Sequence, residues 1–392
     1  MNWPLMRENI TMADLTEVRY FCNQAEQGIP RLTQGPQVAA FEREFADWLG
    51  CQYAVMVNSG SSANLITLAA LRDRTSDSGE IIVPTITWSS DIAAVIHAGY
   101  RPVFVDIDQG TLGMDWSQVF KAINKNTKAV FITHVLGFNA LPHVGIRDRL
   151  AAMKIELIED CCEATGATIG ERKLGTLGLA SNFSFYYAHH MSTIEGGMVC
   201  TDDHSFYERL RQFRSHGLLR ERTDEEGKRH FEKLTPDLDP EFIFSVAGYN
   251  VRSTEINAVI GRSQLKRLDD TINARKINLG YWLHNLGPKF FTDYRVEGAS
   301  NYALPLVLKE PDSDLMTHVI DTLIYNEIEF RRGTAGGGNQ LRQPYLTRLL
   351  GNYAHEKYPQ AEHVHFYGLY IGNYPGVLQE QIIDLCQKLN AL

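Results

Sequence analysis

The most constraining feature of this chain is a regular alternation of short apolar runs and helical segments between residues 53 and 201. Each apolar run has the length of a buried strand, and the segments between them carry apolar residues at helical spacing. Strands that alternate with helices build a parallel sheet covered on both faces. The sequence therefore predicts an α/β fold with a doubly wound, mostly parallel sheet. The predicted strands are 53–57, 80–84, 101–106, 129–134, 155–160, 182–187 and 198–201.

A smaller α+β domain is predicted at the C-terminal end, giving a large domain over 1–267 and a small one over 268–392. A long helix over 268–286 would lead into the small domain. The highly charged segment 220–240 lacks an apolar period and is predicted to be a mobile loop. The further elements predicted beyond residue 286 are strands at 302–308 and 327–330 and helices at 313–325 and 378–392.

Composition excludes several classes of protein. The net charge is −9, whereas a nucleic-acid-binding protein would show a concentrated basic face. The sequence contains no run of about 18 apolar residues that could span a membrane. Its six cysteines are scattered without a C-x-x-C pair, and the N-terminus lacks an export signal. We therefore expect free thiols, a cytoplasmic location, and neither nucleic-acid nor membrane partners.

Polar residues follow the carboxyl ends of several predicted strands, and this is where ligands bind in open α/β sheets. Gly60, Ser61 and Ser62 lie between a strand and a helix, an arrangement that binds phosphate through backbone amides, although a plain helix cap also fits. Trp88 could stack on a flat ring or be a core tryptophan. Asp160 could pair with a pyridinium nitrogen or cap a helix. No G-x-G-x-x-G follows an early strand, which argues against dinucleotide binding.

The stretch Ser181-Asn-Phe-Ser-Phe-Tyr-Tyr-Ala-His-His-Met-Ser-Thr-Ile-Glu-Gly-Gly197 completes a set of motifs. Together they resemble, in order, those of the DegT/DnrJ/EryC1 sugar aminotransferases, which have fold type I and use pyridoxal phosphate. The resemblance implies that Ser184 helps to hold the cofactor phosphate and that Glu163 contacts the cofactor. It also implies a homodimer, in which Asn250 reaches the partner's cofactor. The lysine of the family is missing, and the spacing from Ser184 places His189 there.

Within that family, histidine at the lysine position is typical of the 3-dehydratases of nucleotide-linked 4-keto-6-deoxy sugars. The resemblance implies a substrate like GDP-4-keto-6-deoxymannose, with L-glutamate regenerating pyridoxamine phosphate. A related CDP-sugar enzyme carries an iron–sulfur cluster, which needs several thiolates. No cysteine lies between Cys200 and Cys386, so no cluster is expected. Residues 341–345 and 371–375 nevertheless resemble the CDP enzyme, so the nucleotide base stays open.

An imidazole cannot form the covalent bond with the cofactor that a lysine forms. With an ordinary pKa of ~6.5, however, it can still act as a base, and then as an acid for the departing C3 hydroxyl. We predict that His189 is this base and that His190 is structural. A metal site shared by the two is not predicted, because adjacent side chains on an extended segment point in opposite directions.

Two further residues, His216 and Arg220, are candidates for binding the substrate diphosphate or the donor carboxylate. Solvated surface charge explains them equally well. Two alternative functions also stay open at this point. The chain could be a sugar-nucleotide 4-aminotransferase that uses histidine as its base, or a non-catalytic protein that binds pyridoxal phosphate.

Overall fold

A computed structural model describes residues 2–24, 28, 31–75, 78–351 and 355–392. Twelve strands lie within these ranges. Their bounds are β1 (Tyr53–Val57), β2 (Glu80–Pro84), β3 (Arg101–Val105), β4 (Thr127–Thr133), β5 (Glu156–Asp160), β6 (Thr168–Ile169), β7 (Arg172–Lys173), β8 (Ala180–Ser184), β9 (Gly197–Thr201), β10 (Ala303–Val307), β11 (Phe330–Arg332) and β12 (Gly368–Gly372).

Fourteen α-helices lie in the same described ranges, and none of them is long and apolar enough to cross a membrane. Their bounds are α1 (Met12–Asn23), α2 (Pro36–Leu49), α3 (Gly60–Thr75), α4 (Ser89–His97), α5 (Trp116–Ala122), α6 (Ile146–Ala152), α7 (His204–Arg214), α8 (Glu225–Leu234), α9 (Glu255–Leu265), α10 (Leu268–Asn285), α11 (Ser313–Tyr325), α12 (Pro344–Leu350), α13 (Pro359–Tyr367) and α14 (Gln379–Asn390).

Seven strands form the central sheet, in the order β1-β9-β8-β5-β4-β2-β3. The five strands from β8 to β3 run parallel, whereas β9 is antiparallel to both of its neighbours. Both faces of the sheet are buried. This is seen in β1, whose alternate residues belong to two different hydrophobic cores. Met56 packs towards α2, and Val57 packs towards α3. The predicted doubly wound, mostly parallel sheet is therefore confirmed.

The register of this sheet brings polar side chains together at one edge. Thr133 pairs with Asp160 across β4 and β5, and Asp160 pairs with Asn182 across β5 and β8. Parallel strands present their carboxyl ends at the same edge, which is where open α/β sheets bind ligands. This edge carries the site described below.

A second sheet has the strand order β10-β12-β11, and it packs with α10, α11, α13 and α14 around a separate core. The N-terminal segment belongs to this core. Trp3 is 1% exposed, and its indole N–H donates to the Gly372 carbonyl at 3.0 Å. The chain therefore begins on the small sheet and enters the large domain afterwards. The boundary between residues 267 and 268 stays a prediction.

Two local expectations were wrong. The charged segment 220–240 contains the helix α8, in which Glu225 and Lys228 form an ion pair at 2.9 Å one turn apart. None of its residues is buried, and its only large apolar side chains are Phe231 and Leu234, too few to establish a helical period from the sequence. The strand expected at 327–330 lies later, at Phe330–Arg332.

Candidate active site

A cavity of about 310 Å³ lies between the carboxyl edge of the large sheet and the small sheet. Residues from both sheets line it, and they include most of those predicted from the sequence. The lining consists of Met6, Ser59, Gly60, Ser61, Trp88, Ser90, Thr133, Asp160, Cys162, Glu163, Ser184, Tyr186, His189, Glu195, Tyr302, Arg331, Ala335 and Tyr370.

The predicted phosphate loop forms one end of the cavity. Gly60 and Ser61 begin α3, where the first backbone N–H groups have no intrahelical acceptor and the helix dipole favours an anion. The Ser184 hydroxyl lies against Gly60, because a Cβ built on that glycine would be 3.2 Å from the Ser184 Oγ. Ser62 is placed differently. Its hydroxyl donates to Asn58 at 2.6 Å and does not line the cavity.

Trp88 stands at the entrance to α4, just beyond the carboxyl end of β2. Its side chain is 47% exposed and lines the cavity, whereas nearby Ile86 is fully buried in the core. An exposed indole beside a cavity can stack on a planar ring. The geometry therefore favours the stacking hypothesis over that of a core tryptophan.

Asp160 ends β5 and is 4% exposed. One of its carboxylate oxygens accepts from the Cys162 amide at 2.9 Å, and the other accepts from the Asn64 side chain at 3.0 Å. These neutral donors orient the carboxylate without cancelling its charge. Asp160 can therefore face a protonated ring nitrogen in the cavity.

His189 lies in the loop after β8, with its ring 5.1 Å from that of Tyr302. Its carbonyl accepts from Arg275, at 3.1 Å, and from Asn9. Its buried Nδ1 atom has no hydrogen-bond partner among the described residues. Burial, with a further contribution from the charge of Arg275, lowers the pKa of His189 to about 3. The imidazole is therefore neutral at ordinary pH and can accept a proton.

His190 points elsewhere. It is 2% exposed, and its Nε2 contacts the Ser300 carbonyl at 3.1 Å. Burial and the charge of Arg275 also lower its pKa. The two adjacent histidines thus have separate environments, which supports the hypothesis that His190 is structural and argues against a shared metal.

Several lining residues were not predicted. Arg331 lies on β11, Tyr370 lies on β12, and Tyr302 directly precedes β10. None of the three belongs to a motif that the sequence analysis identified. Glu163 was predicted, and its carboxylate accepts from the Leu136 amide at 2.7 Å. Burial and the charge of Asp160 raise the pKa of Glu163 to about 8, although the Leu136 amide and Arg331 oppose the shift.

Comparison with known proteins identifies the family. The sequence profile of the DegT/DnrJ/EryC1/StrS aminotransferase family matches residues 17–390. The chain belongs to this family. It is 33% identical over 395 residues to GDP-4-keto-6-deoxy-D-mannose 3-dehydratase of Escherichia coli O55:H7, a match that covers 99% of this chain and 100% of the relative. Identity with the enzyme of the same name from Yersinia pseudotuberculosis is 33% over 364 residues, covering 90% of each chain.

A solved structure extends the match to three dimensions. The structure is of GDP-4-keto-6-deoxymannose-3-dehydratase with a trapped PLP-glutamate geminal diamine, and it superposes with a TM-score of 0.87 at 31% identity. The match covers 99% of this chain and 100% of that chain. The resemblance to the aminotransferase family and the fold predicted from it are thus confirmed.

Besides Ser62, three predicted residues of this family member lie outside the cavity of their own chain. Asn250 is exposed, and its side-chain oxygen accepts from Arg252 at 3.0 Å. His216 lies 3.4 Å from the same guanidinium. Arg220 pairs with Glu241 at 3.3 Å. The structure therefore groups Asn250 with His216 on the surface, and roles for all three stay predictions.

One cluster away from the cavity has the composition of a metal site, namely His134, Glu159 and Cys161. The polar side-chain atoms of His134 and Glu159 already have partners among the described residues. The His134 Nδ1 accepts from the Ala140 amide at 3.1 Å, so Nε2 carries the proton and faces Glu159 at 3.3 Å. Glu159 also accepts three backbone amides, the shortest at 2.8 Å. The hydrogen bonds explain this buried pair as a structural one.

Proposed function

We propose that this protein is a 3-dehydratase of a nucleotide-linked 4-keto-6-deoxyhexose, with pyridoxamine and pyridoxal phosphate as its cofactor. The substrate resembles GDP-4-keto-6-deoxymannose, and the product is a 3,6-dideoxy-4-keto sugar. The observation that carries the proposal is the neutral imidazole of His189 at the cavity wall. Among the described residues that line this cavity there is no lysine. The names of the relatives support the same reaction.

The side chains of the cavity fit that cofactor. Gly60, Ser61 and Ser184 offer donors for its phosphate, Trp88 offers a flat face for the ring, and Asp160 offers a carboxylate for the ring nitrogen. A side chain larger than hydrogen at Gly60 would fill the space, since a Cβ there would lie 2.7 Å from the Ser184 Cβ. When bound, pyridoxamine phosphate supplies an amino group that condenses with a keto sugar and a ring that accepts electrons.

His189 moves the protons in this proposal. As a neutral base it takes the proton from C4′ of the cofactor, and as its conjugate acid it protonates the hydroxyl leaving C3 of the sugar. No lysine delivers a proton to sugar C4, so water releases the amino group as ammonia, restores the 4-keto group of the sugar and leaves the cofactor as pyridoxal phosphate. L-glutamate then returns an amino group to the cofactor.

Arg331 is suited to hold an anionic part of a reactant. Its guanidinium lines the cavity and, with Arg332 and the Gly336-Gly337 turn, also lines an adjoining opening. Burial lowers the pKa of Arg331, but interactions with Tyr370, Tyr302 and Tyr186 outweigh this and raise it above its ordinary value. The side chain is therefore a permanent cation that can pair with the glutamate carboxylate or the sugar diphosphate.

We further propose a homodimer with shared active sites. Asn250 and His216 are grouped away from the cavity of their own chain, as expected for residues that complete the partner's cavity. We propose no iron–sulfur cluster. The lack of cysteines between Cys200 and Cys386 supports this, because such a cluster needs several thiolates.

Product analysis tests the reaction. The protein is incubated with pyridoxamine phosphate, L-glutamate and either GDP-4-keto-6-deoxymannose or its CDP-linked counterpart. We expect ammonia and a deoxygenated keto sugar, with faster turnover of the GDP sugar. A stable 4-amino sugar would instead identify an aminotransferase. Lack of turnover with either sugar, although the cofactor binds, would identify a non-catalytic homologue.

Substitution of the proposed base tests the role of His189. His189→Asn should lower the dehydration rate by about 100-fold or more, because a positioned acid–base group contributes at least that much. His143→Asn, at an exposed histidine outside the cavity, is the matched control and should leave the rate unchanged. Wild-type rates for His189→Asn would show that another group is the base.

A further inference from the structure

A second buried carboxyl group lies behind Asp160, outside the cavity lining. Asp91, in the first turn of α4, is 1% exposed. Asn64 joins the two acids, because its side-chain nitrogen donates to Asp91 Oδ1 at 2.7 Å and to Asp160 Oδ2 at 3.0 Å. An amide nitrogen carries two N–H groups, so this bridge uses both of them. The contact with Asp160 fixes which way the amide faces, since an amide oxygen could not face a carboxylate.

The far side of Asp91 is also bonded to neutral groups. Its Oδ2 lies within hydrogen-bond distance of the Thr87 and Thr133 hydroxyls, 2.8 Å from the latter, and the two hydroxyls lie 2.6 Å apart. When Oδ2 carries a proton it can donate to one of them, because a hydroxyl both donates and accepts. The other titratable groups that interact with it are Asp160, Cys162 and Tyr345. The hydrogen bonds that the described structure gives Asp91 thus include none from a lysine or arginine.

We propose that Asp91 is a positioning residue that acts through Asn64 to fix the Asp160 carboxylate against the cofactor's ring nitrogen. The inference rests on the cofactor named in the proposed function. Thr87, Thr133 and Asn64 form a continuous hydrogen-bonded chain with Asp91 that ends on Asp160. The chain ties the direction of that carboxylate to three elements, α3, α4 and β4.

In this role Asp91 is an uncharged acid. Burial and the negative charge of Asp160 raise the pKa of Asp91 well above its ordinary value. Two neighbouring buried carboxyl groups do not both ionise, since a second unpaired anion would be costly. The proton therefore stays on Asp91, and Asp160 is the carboxylate that meets the ring nitrogen. A neutral side chain of the same shape, such as asparagine, should therefore be able to replace Asp91 without changing the direction of the Asp160 carboxylate.

The test uses the holoenzyme with pyridoxal phosphate isotope-labelled at its ring nitrogen. The readouts are the NMR shift of that nitrogen and the dissociation constant of the cofactor. Asp91→Ala and Asn64→Ala should each weaken binding by about tenfold, the effect of one lost buried hydrogen bond, and should move the nitrogen signal. Asp91→Asn should keep the wild-type signal. The double variant Asp91→Ala/Asn64→Ala should lose little more cofactor affinity than either single variant, because both residues act through the same chain of hydrogen bonds.

Asp106→Ala is the matched control. Asp106 is also a 1% exposed aspartate, but it accepts the amides of Gln360 and Ala361, away from the cavity. Asp106→Ala should lower the free energy of unfolding but leave the NMR shift of the ring nitrogen unchanged.

An unchanged signal and unchanged affinity in folded Asp91→Ala would overturn the proposal, as would additive losses in the double variant. If Asp91→Ala does not fold, Asn64→Ala and Asp91→Asn still decide, since a shifted signal in Asp91→Asn contradicts the uncharged role. None of these measurements needs a sugar, so they stay informative even if the dehydratase assignment fails.

Discussion

At the scale of single residues, Glu163 links the chemistry of the cavity to the stability of the fold. Its pKa rises from an ordinary 4.5 to about 8 in the folded chain. Between these values the folded state binds more protons than the unfolded state, so stability falls as pH rises through this window. Glu163→Gln should remove this loss of stability. Its free energy of unfolding should exceed that of the wild type by a few kcal/mol at pH 9 and equal it at pH 4.

Urea unfolding of the cofactor-free protein across this pH range measures the effect. Glu195→Gln, at an exposed glutamate of the same cavity, is the control and should keep the wild-type pH dependence. Equal pH slopes for the wild type and Glu163→Gln would show that Glu163 titrates in its ordinary range.

His189 leads to a second prediction about pH. With a pKa of about 3, its imidazole stays neutral from pH 5 upwards. The pH dependence of kcat/KM reports the titration of the free enzyme's base. We therefore expect no acidic loss of kcat/KM near pH 6.5 that is attributable to His189. A loss there that disappears in His189→Asn, measured on the residual rate, would contradict the depressed pKa.

At the scale of elements, the phosphate loop depends on how closely β9 approaches α3. A Cβ on Gly197 would lie 2.4 Å from the Ser59 carbonyl oxygen and 2.8 Å from the Gly60 nitrogen. Gly197→Ala should therefore push the loop away and weaken cofactor binding by about tenfold or more, since it displaces backbone donors. Gly280→Ala on α10 is the control, because a Cβ there meets nothing within 4 Å.

Equilibrium titration with pyridoxal phosphate measures both glycine variants. Gly280→Ala should bind normally and gain up to about 1 kcal/mol in stability, because alanine favours a helix over glycine. Normal binding by Gly197→Ala would show that the loop can move without losing its donors.

Elements with a strong local pattern were predictable. The bounds of β1, β2 and α11 agree residue for residue with the sequence prediction, because each is bounded by polar or turn residues. The helix α8 was missed because it carries only two large apolar side chains, Phe231 and Leu234, which are too few to show a helical period. The strand β12 was missed because it is a five-residue run between glycines that directly follows a helix, and its partners lie far away in sequence.

At the scale of the whole molecule, the arrangement of the two sheets determines which residues of the cavity could be predicted from the sequence. Gly60, Trp88 and Asp160 follow strands of one parallel sheet, so their meeting at one edge follows from the fold class. Tyr302 and Tyr370 meet them only because the small sheet packs over that edge. No spacing along the chain encodes that packing.

The last prediction concerns the dimer. If Asn250 completes the partner's cavity, His189→Asn and Asn250→Ala should each be nearly inactive alone but complement each other when mixed. In a mixed dimer one cavity carries both substitutions and the other carries neither. Random reassociation of equal amounts makes half the dimers mixed, so about a quarter of wild-type activity should return.

The control mixes His189→Asn with Asp160→Ala. Both of those residues line the cavity of their own chain, so each mixed dimer keeps one defect in each cavity, and activity should stay low. Full activity of Asn250→Ala alone, or equal recovery in the two mixtures, would contradict shared sites.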